Sequence, residues 1–212
     1  MNTETCQKIF ERFKAENPEP ETELQYTTPF ELLIAVMLSA QSTDKSVNKV
    51  TGPLFAKANT PEQLLALGED TLAFALRSLN YYKTKARHIL KTCAILIAEH
   101  HSQVPATRAA LEALPGVGRK TANVVLSIAF NQATLAVDTH IFRVANRTGL
   151  AQGKTPLAVE QQLMQVIPSE YIQEAHHWLI LHGRYICIAK KPRCQACLIQ
   201  DLCEYGFKEG GS

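Results

Sequence analysis

The sequence predicts an all-α protein. Three observations carry that expectation. Apolar residues recur at helical spacing in one segment after another, and no stretch alternates with the period of two that a half-buried strand needs. Thr28-Pro29, Thr60-Pro61 and Thr155-Pro156 each set a capping hydroxyl before a proline at the first helical position. Leu114-Pro115-Gly116-Val117-Gly118-Arg119-Lys120 stops one helical run and opens another, which reads as helix, tight hairpin, helix.

Composition bounds the answer before any motif does. The 212 residues suffice for one large domain or two small ones, and 46% of them are apolar, enough for a real core. A net charge of +2 argues neither for nor against nucleic acid. The longest apolar run, Phe30 to Ala40, is too short to span a bilayer and contains Glu31. The start, MNTETCQKIFERFK, is charged and helix-patterned rather than a signal peptide, so a cytoplasmic protein with no membrane partner is expected.

The elements follow in order. Residues 4–16 form an amphipathic helix with Ile9, Phe10 and Phe13 on one side, ended by Asn17-Pro18-Glu19-Pro20. Thr28-Pro29-Phe30-Glu31 is a capping-box start. The helix it opens (Leu32, Leu33, Ile34, Val36, Met37, Leu38) is apolar nearly all round, so it should be buried and central. A polar break, Ser39 to Asp44, follows, and Ser42 or Thr43 caps the next helix. Thr60-Pro61-Glu62-Gln63 opens another. Residues 82–99 place Tyr82, Ala86, Ile89, Leu90, Cys93 and Ile97 on one face, while Lys83, Lys85, Arg87 and Lys91 are expected to form a solvated one. Asp138 reads as an N-cap before Thr139 to Val144. Thr155 caps a helix carrying Val159, Leu163, Val166 and Ile167. Residues 170–184 form one more, with Ala175, Trp178, Leu179 and His182 in register. The tail Gly210-Gly211-Ser212 is expected to be disordered.

The hairpin carries the first candidate chemistry. Backbone N–H groups at a helix start make an anion site, and phosphate is the obvious anion. Lys120 stands beside it, one turn into the second helix, with Val124, Val125, Ile128 and Ala129 following at helical spacing. A cationic neighbourhood, Arg119 and the helix terminus, disfavours an ammonium and makes such a lysine a candidate nucleophile for Schiff-base formation. The bare motif also fits a packing turn with a solvated lysine.

The cysteines carry the second. Cys93 lies on an apolar stripe as a core residue, and Cys6 has no assigned role. Cys187, Cys194, Cys197 and Cys203 fall within 17 residues near the chain end. Four thiolates suit tetrahedral zinc or a [4Fe–4S] cluster, and the spacing alone does not choose. Between the first two ligands, Lys190, Lys191 and Arg193 form a basic loop suited to phosphate contact or simply to solvation.

Taken together, TPFELLIAVMLSAQ (28–41), LPGVGRKTANVVL (114–126), VDTHIFRV (137–144) and HHWLILHGRYICIAKKPRCQACLIQDLC (176–203) resemble the endonuclease III family, DNA glycosylases and abasic-site lyases with a helix-hairpin-helix. The resemblance covers nearly the whole chain. It implies that Cys187, Cys194, Cys197 and Cys203 hold a [4Fe–4S] cluster rather than zinc. It implies two helical lobes with the DNA-binding cleft between them. Residues 22–133 would form a six-helix lobe with the helix-hairpin-helix at about 107–131. Residues 1–21 with 134–212 would form the cluster lobe, whose ligand loop is 187–203. The partner implied is double-stranded DNA with damaged pyrimidines or abasic sites, bound by a monomer.

The same resemblance assigns roles. Lys120 would be the catalytic nucleophile and Asp138 the essential carboxylate. Gly116, Val117, Gly118 and Arg119 would grip the DNA backbone, with Lys191 a further contact. Because the damaged nucleotide must leave the stack, wedge side chains should fill the gap. Those positions are Gln41 and Tyr81. Here the chain departs from the family pattern, with Asn80 where glycine is usual and Tyr81 where leucine is frequent. An asparagine tolerates a left-handed turn, and an aromatic wedge can stack on a base. Two rivals remain at this point: an adenine-type glycosylase, which usually lacks the lysine, and a metal-stapled DNA-binding protein without chemistry.

Overall fold

The computed structural model describes residues 1–205, and the expectation for Gly210 to Ser212 lies outside them. All regular structure among the described residues is helical. In order come α1 (Thr3–Glu16), α2 (Pro29–Ser39), α3 (Asp44–Phe55), α4 (Pro61–Ala75), α5 (Tyr82–His100), α6 (Arg108–Glu112), α7 (Arg119–Phe130), α8 (Thr139–Thr148), α9 (Pro156–Val166) and α10 (Ile172–Tyr185), with short 3-10 turns at Ser169–Tyr171, Cys194–Ala196 and Gln200–Leu202. The chain divides into two compact units, one of Thr22–Gln132 and one of Met1–Glu21 with the chain from Ala133 onward. No described helix is long and apolar enough to cross a membrane.

The first unit is built around α2. Every residue from Phe30 to Leu38 is buried, and α3, α5 and α7 pack against it. Its start is fixed by Thr28, whose hydroxyl accepts from Glu31 N at 3.1 Å. The Glu31 carboxylate reaches back one residue further than in a standard capping box, to Thr27 N at 2.6 Å and Thr27 Oγ1 at 2.7 Å. Those bonds explain how a carboxylate only 4% exposed is tolerated. Thr43, not Ser42, caps α3, accepting from Ser46 N at 3.2 Å. Helix α4 is broken at Gly68, where φ is +75°, a backbone angle open to glycine.

Two expectations for this unit need correction. The buried stripe of α5 runs through Lys85, Ala86, Ile89, Thr92, Cys93 and Leu96, whereas Leu90 and Ile97 are only half-buried. Lys85 is therefore not on a solvated face. It lies four residues before Ile89 on the same side of the helix, and an unusual set of acceptors makes its burial possible (below). In α7, burial is continuous from Ala122 to Ser127 rather than confined to a stripe, while Ile128 and Ala129 are half-buried.

The second unit gathers α1, α8, α9 and α10 around one apolar core. Helix α1 contributes Cys6, Ile9, Phe10 and Phe13, all buried. Phe10 stacks on Tyr171 with ring centroids 5.9 Å apart, and Trp178 Nε1 donates to Asn17 O at 2.8 Å. An isolated helix of 14 residues is marginal in water, so docking holds α1 in place. Each buried Ile or Phe contributes about 1.5–3 kcal/mol to that docking. Helix α10 begins only at Ile172, after the 3-10 turn, two residues later than its periodicity suggests. Helix α8 packs on α10 at Gly183, where an added Cβ would lie 2.9 Å from His140 Cβ.

Candidate functional site

In the Thr22–Gln132 unit the hairpin joins α6 to α7. Leu114 and Val117 are 2% and 6% exposed, so the turn is pinned by its own apolar side chains. Thr92 of α5 donates to Pro115 O at 3.1 Å. Gly116 has φ +81°, and an added Cβ would sit 2.7 Å from His88 Nδ1 and 3.0 Å from His88 Cβ. Glycine is thus required there twice, by backbone angle and by the α5 side chain beneath it. Gly118 differs. It is the N-cap of α7 in an extended conformation, and nothing lies within 4 Å of its Cβ position. Within the protein, nothing excludes a side chain at Gly118, so any reason for keeping it bare must come from an outside group that approaches the backbone.

The hairpin's amides do not all face outward as expected. Val117 N donates to Leu114 O at 3.1 Å. Arg119 and Lys120 are exposed, and Lys120 is the second residue of α7 rather than a full turn into it. A neighbouring pair of loops carries the two wedge candidates. Gln41 and Tyr81 are both exposed, Tyr81 at 66%, and both have left-handed backbones, φ +54° and +56°. Asn80 does not have a positive φ, so the left-handed residue of this turn is the tyrosine and not the asparagine. Asn80 Nδ2 instead donates to Gln41 O at 2.8 Å.

In the other unit Asp138 is the N-cap of α8. Its Oδ1 accepts from His140 N and Ile141 N, each at 2.8 Å. Asp138 thereby satisfies two of the amides that open α8. The cysteine segment follows α10. Cys187 is buried, and Cys194, Cys197 and Cys203 are half-buried. All four line one cavity, together with Arg147, Thr148, His182 and Tyr205. Two arginines four residues apart on α8 hold the loop. Arg143 Nε donates to Cys187 O at 2.9 Å and Arg143 Nη2 to Gly183 O at 2.7 Å. Arg147 donates to Ile188 O at 2.8 Å and Ala189 O at 2.9 Å, with Nη1 3.7 Å from Cys187 Sγ. Arg12 of α1 donates to Leu198 O at 2.8 Å and pairs with Asp201. Lys190, Lys191 and Arg193 are exposed, and Lys191 has φ +52°.

The donor set fits an iron–sulfur centre. Four soft thiols face one cavity with no carboxylate among its lining residues. Burial pushes the Cys197 thiol up to about 11, so a thiolate there needs a cation to form. Burial lowers His182 to about 4, which leaves a neutral imidazole 3.7 Å from Cys197 Sγ. Four thiols around one cavity supply the ligand set that a [4Fe–4S] cluster takes.

Sequence reasoning brought out the hairpin, Asp138 and the four cysteines. It missed Lys85, His88, Thr92, Arg143 and Arg147. Periodicity could have found two of these groups. Lys85 shares the Ile89 stripe, and Arg143 and Arg147 stand one turn apart on α8.

The family described as HhH-GPD superfamily base excision DNA repair protein matches residues 34–169. The iron-sulfur binding domain of endonuclease III matches residues 187–203. Endonuclease III of Haemophilus influenzae is 58% identical over 98% of this chain and 99% of its own. That of Escherichia coli K12 is 57% identical over the same shares. Among solved structures, a trapped endonuclease III–DNA covalent intermediate superposes with a TM-score of 0.92 at 44% identity, covering 99% of each chain.

Proposed function

The chain belongs to the endonuclease III family of HhH-GPD base excision DNA repair proteins, and from that premise we propose that it removes oxidised pyrimidines from duplex DNA and cleaves the resulting abasic site. It is a DNA glycosylase and abasic-site lyase that carries a [4Fe–4S] cluster. The observation that carries the lyase half is the relative caught covalently bound to DNA, matched over 99% of each chain. In our reading Cys187, Cys194, Cys197 and Cys203 are the cluster ligands. Residues 22–133 form the hairpin domain, and 1–21 with 134–212 form the cluster domain. The protein acts as a cytoplasmic monomer.

The chemistry assigns each residue a step. The Lys120 amine forms a bond to C1′ of the extruded nucleotide, and the glycosidic bond breaks, with the base leaving as the acceptor of that electron pair. Asp138 takes the amine proton or steadies the cationic sugar. Ring opening gives the protonated Schiff base. That electron sink lets the C2′ proton leave, and the C3′–O3′ bond breaks to give strand scission. Gly116, Val117, Gly118 and Arg119 hold the backbone phosphate, and Lys191 adds a contact. Gln41 and Tyr81 occupy the space left in the duplex. When bound, the cluster supplies the cohesion of a loop with almost no apolar core of its own.

The deciding experiment is borohydride reduction during incubation with duplex DNA containing one abasic site. Wild-type protein should yield a covalent adduct, and Lys120→Ala should yield none while keeping its fold. Asp138→Asn should retain DNA binding and lose most turnover. Asp138→Ala should in addition lose the α8 cap, about 1 kcal/mol in thermal or urea unfolding. An adduct that survives Lys120→Ala removes that residue as nucleophile.

A further inference from the structure

We propose that Lys85 and Asn80 are positioning residues that lock the Gln41 and Tyr81 loops into one preorganised duplex-inserting element. The proposal rests on the glycosylase reading above, and it concerns residues that touch neither the sugar nor the base.

Lys85 carries the argument. It is 9% exposed, and its Nζ lies 2.9 Å from Leu38 O, 2.8 Å from Ala40 O and 3.1 Å from Ser42 Oγ. An ammonium has three N–H donors, and each finds an acceptor; a neutral amine could serve only two. No carboxylate is among these partners. The positive charge instead meets the carbonyl end of α2, which has no basic residue in its own last turn. That end carries the negative pole of the helix dipole. Burial lowers the affinity of Lys85 for its proton. The chain accepts that cost at a site whose geometry holds the residues on both sides of Gln41: Ala40 through its backbone carbonyl and Ser42 through its side-chain hydroxyl.

Asn80 supplies the second tie. Its Nδ2 donates to Gln41 O at 2.8 Å, joining the residue before Tyr81 directly to the Gln41 backbone. Lys85 and Tyr81 are themselves linked by the first α5 turn, Lys85 N to Tyr81 O at 3.0 Å. Gln41 and Tyr81 are thus held by one continuous network. Each has a left-handed backbone that its residue type disfavours, and each is exposed. Strained positions persist where their surroundings over-determine them, and they concentrate at ligand clamps. A wedge must enter the base stack without first ordering itself. Two tips fixed in advance avoid that entropy loss.

The test separates insertion into a duplex from the chemistry itself. Cleavage of an abasic site is measured under single-turnover conditions in a duplex and in the same strand alone, where nothing needs to be displaced. With 2-aminopurine opposite the site, fluorescence reads unstacking in the duplex. Asn80→Gly and Asn80→Asp both remove the donor to Gln41 O. They should lower duplex cleavage and the fluorescence rise by roughly threefold, the worth of one neutral hydrogen bond, with single-strand cleavage unchanged. Lys85→Met should cut the duplex rate about tenfold or more, as expected for lost charge-assisted bonds, and Lys85→Arg should restore part of it. Should Lys85→Met fail to fold, the exposed Asn80 variants decide alone. A duplex-to-single-strand ratio that stays at the wild-type value in both Asn80 variants, while Tyr81→Ala lowers it, overturns the clamp and leaves the wedge standing. A ratio unmoved by Tyr81→Ala and Gln41→Ala removes the wedge and the clamp with it. Absence of any adduct from the wild-type protein defeats the lyase reading itself.

Discussion

Two short irregular segments carry most of the proposed function, and they are held in opposite ways. In the hairpin, Leu114 and Val117 are buried, Pro115 O is bonded to Thr92, and Gly116 rests on His88. Its shape is a consequence of packing on α5. Between Cys194 and Cys203 only Ile199 is buried, and the two 3-10 turns there close on bonds such as Cys197 N to Cys194 O. That segment borrows its shape, from Arg12, which donates to Leu198 O and pairs with Asp201, and from whatever the thiolates hold, while Arg143 and Arg147 hold the stretch before it at Cys187 to Ala189. Packed turns are specified by volume and backbone angle. Ligand-held turns are specified by donors placed around a gap. The same chain uses both, and each fails in its own way.

The largest predicted effect is on the cluster side. Cys197→Ser should abolish the broad visible absorbance, open residues 187–203 to proteolysis and lower the melting temperature, because a structural metal group contributes on the order of 10 kcal/mol to the fold that holds it. Amide exchange of the hairpin should barely change. Protection of 187–203 without the cluster would break the comparison, since the loop would then hold itself. Next comes Gly116→Ala. The left-handed backbone alone costs about 1–2 kcal/mol, and the contact with His88 adds to it. Urea unfolding should show the loss without any change in the cluster spectrum; an unperturbed midpoint would mean the hairpin is not pinned on α5. The smallest effect on stability belongs to Gly118→Ala. Its backbone is extended and its surroundings are open, so stability should stay within about 0.5 kcal/mol of wild type. Affinity for abasic duplex should nevertheless fall by fluorescence anisotropy, because the added methyl stands where a phosphate would approach. Equal losses of stability at the two glycines would erase the distinction between an internal and an external reason for glycine.

Much of this architecture was legible in the sequence, for physical reasons that are local. Thr28, Thr60 and Thr155 announce helix starts because capping needs only a hydroxyl and the next turn. The cysteine cluster is visible because ligands must be near in space and here are near in sequence. What escaped notice depends on distant partners. Lys85 reads as a surface charge until the carbonyl end of α2, more than forty residues earlier, is brought beside it. Asn80 looked like a substitute for glycine in a left-handed turn, yet the positive φ falls on Tyr81 and the amide serves Gln41. The hairpin motif made Lys120 a candidate nucleophile, whereas the proposed role of Gln41 came from the family resemblance alone, since no periodicity could indicate it.

The docking of α1 has a consequence for synthesis. Its apolar face completes a core whose other members begin at Leu135, and its links to that core span 161 residues at Trp178 and 164 at Tyr171. At ~5–20 residues per second, a ribosome needs roughly ten to thirty seconds to deliver those partners. Meanwhile the contiguous stretch from Thr22 to Gln132 can close around α2 as soon as it emerges. Translation therefore imposes an order in which α1 docks only after Tyr171 and Trp178 have emerged. Ile9, Phe10 and Phe13 are the part of the nascent chain that waits longest in reach of chaperones and proteases.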